Sequence, residues 1–279
     1  MIKITPAEFD ILSKYIMEIS GIALSKGKEY LIETRLNPLM DQLGCTSYSD
    51  LHRKAKYDLK KDIERQIIDA ISTNETYFFR DKSPFTLLQH KIIPDIIDRR
   101  SKSKTSALKP SIRLWSAANS TGQEIYSIAM ALDEINVTPQ KYQIKLLGTD
   151  ISDAAIAQAS YGRYNKFEVA RGLDPKRLNK YFNQEGDYWK IKDEIRSMVQ
   201  FQKMNLMKPF VGLGKFDIIL CRNVMIYFTE EDRRKIYTNI AKVLEPDGYL
   251  IIGATESLAN NSDLFVSKRY LNSIFYKLS

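Results

Sequence analysis

The opening part of the chain repeats its apolar residues at helical spacing. In YLIETRLNPLMDQLG, residues Leu31, Ile32, Leu36, Leu39, Met40 and Leu43 fall on one face. Gly44 is placed to end that helix, and Pro38 is expected to kink or divide it. DLKKDIERQIIDAIST carries a second stripe of Leu59, Ile63, Ile67, Ile68 and Ile71. Residues 1–73 therefore read as a helical domain. The Ser- and Lys-rich stretch RRSKSKTSALKPS, 99–111, reads as an exposed loop. Beyond it the period changes. IRLWSAA (112–118), YQIKLLGTD (142–150), FDIILCR (216–222) and GYLIIGA (248–254) are strand-like. QEIYSIAMALDEI (123–135), ISDAAIAQASY (151–161) and EEDRRKIYTNIAKVL (230–244) are helical. This alternation predicts an α/β fold, a parallel sheet with helices on both faces, with YLNSIFYKL as a final strand. Between 174 and 203, YWKIK and MVQFQKM alternate apolar and polar residues beside a turn at NQEGD, which predicts a small antiparallel subdomain.

Composition narrows the picture only a little. The chain has 279 residues, 44% of them hydrophobic and 27% charged, which is ordinary for globular proteins and long enough for two domains. No apolar run is long enough to span a bilayer, and MIKITPAEFDILSKY lacks the features of a signal peptide, so the cytoplasm is the expected compartment. Cys45 and Cys221 are far apart, and Cys221 closes an apolar run as a small buried hydrophobe would. His52 and His90 have no ligand partners at useful spacing, so no metal site is expected. The net charge of +8 admits nucleic acid, an anionic membrane surface or an acidic protein as partner and selects none of them.

Chemistry is expected where parallel strands end, because open α/β sheets bind ligands there. The loop SAANSTGQE follows the first such strand and is built of small residues with one glycine, Gly122. It lacks both GxxxxGK[ST] and GxGxxG, so it suits a ligand without a pyrophosphate. Asp150 ends the next strand, where an acid can grip ribose hydroxyls; the plainer alternative is an N-cap for the following helix. A nucleoside-bearing cofactor follows from the two together. CRNVMIYF, 221–228, directs Arg222, Asn223 and Tyr227 toward the same crevice, unless that cluster serves only packing and capping.

NETYFFRD, WSAANSTGQEIYSIAM, TDIS, NLM, CRNVMIYF and GYLIIGATESL occur in an order and spacing that resemble the chemotaxis-receptor glutamate methyltransferases of the CheR type, over nearly the whole chain. The resemblance implies an S-adenosylmethionine-dependent methyltransferase domain of Rossmann-like α/β fold at 91–279, with the antiparallel subdomain at about 174–203. It also implies an all-helical domain at 1–73 and a cofactor-contacting linker at 74–90. The implied activity is methylation of glutamate side chains on the cytoplasmic helical bundle of chemotaxis receptors. The products would be a glutamyl methyl ester and S-adenosylhomocysteine.

Site residues carry over from the resemblance one at a time. Asn74, Thr76 and Arg80 match positions that contact the cofactor. Arg80 would hold the methionyl carboxylate or orient the incoming glutamate, a task suited to directional guanidinium donors. Glu124 would meet the methionyl portion and Asp150 the ribose. Asn205 and Leu206 would frame the adenine, Arg222 and Asn223 would line the cofactor crevice, and Tyr227 would position the substrate. Asn119 stands where the family commonly has Cys, and Gln123-Glu124-Ile125 where it has Glu-Glu-Pro. Some family members capture a receptor's C-terminal peptide through a glycine-rich loop in the subdomain. Here the turn is short, with one glycine, Gly186, so the tail is not expected to be needed. A monomer is the expected state. Competing readings are a nucleic-acid methyltransferase, although the proline pair common in amino-methylating enzymes is absent from CRNVMIYF, and a non-catalytic module that binds the cofactor and signals.

Overall fold

The computed structural model describes residues 2–101, 109–258 and 262–279. Helix α1 (Pro6–Ser20) starts at a reciprocal cap: Thr5 accepts from the Glu8 amide while Glu8 reaches back to the Thr5 amide. Helices α2 (Glu29–Gln42), α3 (Tyr48–Tyr57) and α4 (Asp62–Ile71) complete the helical domain. Its core joins Leu12, Ile16 and Leu51 to Ile32, Leu36 and Met40 of the first predicted stripe and Ile67 and Ile71 of the second; Leu59, expected in that second stripe, lies ahead of α4 and is exposed to solvent. Pro38 lies inside α2 without dividing it.

Residues 74–82 cross to the second domain, which opens with α5 (Ser83–Leu87), a π-helical turn (Leu88–Ile92) and α6 (Ile93–Ser101). Arg99 to Ser101 thus extend a helix rather than begin a loop, and 102–108 of the expected loop lie outside the described residues. The strands are β1 (Ser111–Ala117), β2 (Gln143–Asp150), β3 (Arg163–Asn165), β4 (Phe182–Glu185), β5 (Tyr188–Ile191), β6 (Val199–Lys203), β7 (Phe216–Cys221), β8 (Leu244–Ile252), β9 (Phe265–Tyr270) and β10 (Ser273–Leu278). Seven of them form one sheet in the order β6-β2-β1-β7-β8-β10-β9. Its members from β6 to β8 run parallel, and β10 pairs antiparallel with both β8 and β9.

Helices α7 (Gln123–Glu134), α8 (Asp153–Tyr161), α9 (Lys166–Ala170), α10 (Pro175–Tyr181), α11 (Asp193–Arg196) and α12 (Glu230–Val243) fill the connections. Every residue of β7 is buried, as its unbroken apolar run FDIILC requires of a central parallel strand. Alternation sends Ile218 and Leu220 into the core on one face and Ile219 and Cys221 into the core on the other. Both cysteines are free and buried, and burial pushes the Cys221 thiol up.

The segment between 174 and 203 departs from the expectation. The small antiparallel sheet has the order β3-β5-β4 and draws one strand from 163–165. Val199–Lys203, expected in that excursion, pairs parallel with β2 as an edge of the main sheet. Its apolar residues face the core beside Tyr126, whose ring meets Phe201 at 5.6 Å. An edge strand covered on one face alternates like a hairpin strand, so its own pattern does not name its partner.

Candidate active site

A cavity of about 830 Å³ opens at the C-terminal ends of β1, β2 and β7, within the size range of pockets for small organic ligands. Its far wall belongs to the helical domain, through Ser20, residues 22–25, Lys28, Leu31 and Arg35. Two hydrogen bonds join the domains there: the Ala23 amide donates to the Tyr227 carbonyl at 2.9 Å, and the Asn205 side chain donates through Nδ2 to the Ile19 carbonyl at 3.0 Å.

The wall from β1 turns sharply, with left-handed backbone at Ala118, Ser120 and Gly122 just before α7 begins. That turn aims the Ser120 amide at Asp150 Oδ2, 2.7 Å away, while the Ser152 amide donates to Oδ1 at 3.0 Å. Asp150 is 7% exposed, and burial pushes its carboxyl above the usual aspartate range although these amides pull it down. The N-cap of α8 is Ser152, so capping does not account for Asp150. Ser152 is itself gripped by the helical domain, its hydroxyl donating to Asp69 Oδ1 at 2.7 Å.

Arg222 leaves β7 with a side chain only 1% exposed. It donates to Glu124 Oε2 at 2.7 Å, to Asp81 Oδ2 at 2.6 Å and to the Arg80 carbonyl at 3.2 Å. Glu124 also accepts from Ser116 Oγ at 2.8 Å. Two carboxylates on one buried guanidinium leave this corner with a net negative charge, a setting that favours cationic groups. Arg80 reaches the cavity from the crossover segment, where it donates to the Glu75 carbonyl at 2.8 Å and lies against the Tyr77 ring.

All ten residues singled out from sequence line this one cavity: Asn74, Thr76, Arg80, Glu124, Asp150, Asn205, Leu206, Arg222, Asn223 and Tyr227. They do not all present free polar groups. The Asn205 amide is engaged at both ends, by the Ile19 carbonyl and by the Met207 amide at 2.9 Å. Asn74 Oδ1 accepts from Ser120 Oγ at 3.4 Å, which ties the crossover to the β1 turn. Asn119, at the family's cysteine position, is buried, and its Oδ1 has no hydrogen-bond partner.

A family model described as CheR methyltransferase, SAM binding domain matches residues 74–271, and one described as CheR methyltransferase, all-alpha domain matches residues 7–72. The chain belongs to the CheR methyltransferase family. It is 37% identical over 275 residues to chemotaxis protein methyltransferase 1 of Pseudomonas aeruginosa, covering 97% of each chain. It is 38% identical over 283 residues to the chemotaxis protein methyltransferase of Vibrio parahaemolyticus, covering 99% of this chain and 98% of that one. The residues of this methyltransferase fit an S-adenosylmethionine ligand: the small-residue turn leaves room, the cavity-lining carboxylates Asp150 and Glu124 suit hydroxyl and cationic groups, and the orphaned Asn119 Oδ1 is a free acceptor.

Three features of the site escaped the sequence reading. Asp81 completes the Arg222 clamp, and its signal was its place in NETYFFRD beside Arg80. Asp69 pins the loop after Asp150 and carried no signal beyond an acid on a helix. Glu256, in GATESL after β8, binds four backbone amides.

Proposed function

We propose that this protein transfers the methyl group of S-adenosylmethionine to glutamate side chains of chemotaxis receptors, acting as a cytoplasmic monomer on their helical bundle. The observation that carries the reading is a single cavity that unites Asp150, Glu124 and Arg80 at the strand ends of a CheR-family chain. The cofactor supplies an electrophilic methyl group, and displacement by a carboxylate leaves S-adenosylhomocysteine and a glutamyl methyl ester. An accepting glutamate, with an ordinary pKa of about 4.3, is already ionised at neutral pH and needs no general base.

The protein's work is then alignment and exclusion of water. Asp150 accepts from the ribose hydroxyls. Glu124, oriented by Ser116 and Arg222, faces the cationic end of the methionyl portion. Arg80, with Asn74 and Thr76 beside it, meets the methionyl carboxylate. Asn205 holds the segment that brings Leu206 against the adenine. Asn223 lines the cofactor crevice at the side where Tyr227 positions the incoming glutamate.

The β4–β5 connection is the two-residue turn Gly186-Asp187, which leaves little chain from which to build a peptide pocket. We therefore propose that a receptor C-terminal tail is not required. The test of the activity incubates the protein with methyl-labelled cofactor and receptor cytoplasmic fragments, with nucleic acid in parallel. Label on the receptor that is released by mild base is the expected result. Base-stable label, or label on nucleic acid, would overturn the assignment.

A further inference from the structure

The Glu256 carboxylate lies in the loop after β8 and touches two separate stretches of backbone. Oε2 accepts from the Asn223 amide at 2.9 Å and the Gly253 amide at 2.7 Å, while Oε1 accepts from the Val224 and Met225 amides at 3.2 and 3.0 Å. One side chain thus satisfies three consecutive amides of the corner between β7 and the 3-10 turn Met225–Tyr227. That turn has no capping side chain of its own. The corner is strained at Asn223, which is left-handed with φ +58°. The fit is close: a Cβ at Gly253 would lie 2.6 Å from Glu256 Oε2 and 2.9 Å from Asn223 Nδ2.

We propose that Glu256 is a positioning residue that shapes the acceptor side of the methyl-transfer site. It acts by fixing Asn223 and, through the turn that follows, Tyr227. This rests on the methyl-transfer reading above. Arg222 is held independently by Glu124, Asp81 and the Arg80 carbonyl, so the cofactor side keeps its own support when Glu256 is lost. A carboxylate is suited to this task because both of its oxygens accept; a carboxamide would turn an N–H toward two of the four amides.

The test compares Glu256→Gln with the unaltered protein. In the cofactor-free state, amide exchange at 223–225 should accelerate by roughly tenfold or more. The Kd for S-adenosylhomocysteine should stay within about threefold, while kcat/KM for a receptor fragment falls by at least about tenfold. Gly253→Ala, which presses on the same carboxylate, should give a milder form of the same pattern and serves if Glu256→Gln does not fold. Unchanged exchange at 223–225 would overturn the inference whatever the acceptor is. So would a loss of S-adenosylhomocysteine affinity equal to the loss in kcat/KM, or a lower Tm with normal activity per folded molecule. A wild-type protein inactive on receptors counts against the substrate assignment alone, because the exchange measurement still decides the role of Glu256.

Discussion

The surroundings of Asp150 disfavour its charged form. Burial raises its pKa and two backbone amides offset only part of that. The ribose contact proposed for it depends on the ionised form, which offers acceptors alone. Asp150→Ala should weaken S-adenosylhomocysteine binding by about 1–3 kcal/mol, measured by calorimetry on protein confirmed as folded. Because the folded-state pKa is raised, wild-type affinity should begin to fall at a higher pH than the ordinary aspartate value of about 3.9 implies. Affinity should drop as pH is lowered toward that raised value, and Asp150→Asn should flatten the dependence. Arg80 has a contrasting setting, with one hydrogen bond to the Glu75 carbonyl and a partly open guanidinium. Arg80→Ala should cut specific activity by at least about tenfold, since it removes a directional ligand. Its Tm should change by no more than about 3 °C, the shift that about 1 kcal/mol gives in a chain of this size. A large Tm loss with normal specific activity would mark Arg80 as structural. At this scale the sequence exposed which side chains face the cavity, but not their internal partners. Asn205 reads as a free amide until the Ile19 carbonyl, 186 positions away, is seen to occupy it.

The crossover segment is a structural element without regular secondary structure. Phe78 is fully buried, with edge-to-face contacts to Tyr164 at 5.0 Å and Phe182 at 5.5 Å. Phe79 donates its amide to Ser127 Oγ at 2.9 Å and lies under the Arg177 guanidinium, 3.8 Å from the ring centre. Left-handed backbone at Phe79, Asp81 and Lys82 is kept in place by these anchors and by the Asp81–Arg222 pair. Phe78→Ala should cost about 3–5 kcal/mol, read from the denaturation midpoint. The β4–β5 hairpin yields a second expectation at this scale. Methylation rates of one cognate receptor fragment with and without its C-terminal tail should be equal, and a large loss on removing the tail would refute tail independence. Long elements with strong periodicity, such as α7 and β7, were legible in the sequence because burial on one face or both fixes their pattern. The three-residue β3 is too short to carry a period. β9, whose residues from Val266 to Arg269 are exposed, offers no apolar stripe, and β6 hides its partner. These elements are defined by what they pair with, and pairing is a property of the assembled sheet.

The whole molecule makes its cavity between domains. Gly21 ends α1 with φ +81° and faces the α/β domain so closely that a Cβ there would lie 2.6 Å from Met207 Cγ and 2.7 Å from Phe228. Gly21→Val should wedge the helical domain away and weaken S-adenosylhomocysteine binding by roughly tenfold or more, while far-ultraviolet circular dichroism stays native. Unchanged affinity would mean that the helical domain is not a working wall. The same arrangement orders events during synthesis. Ile19 meets Asn205 only after 186 further positions are added. At about 5–20 residues per second, that is a delay of roughly 10–40 s. Through that interval the newborn helical domain carries a bare face at Gly21 and no compartment for a small molecule. The methyl donor can therefore steady the finished polypeptide, but it has nothing to hold while the ribosome is still at work on the walls.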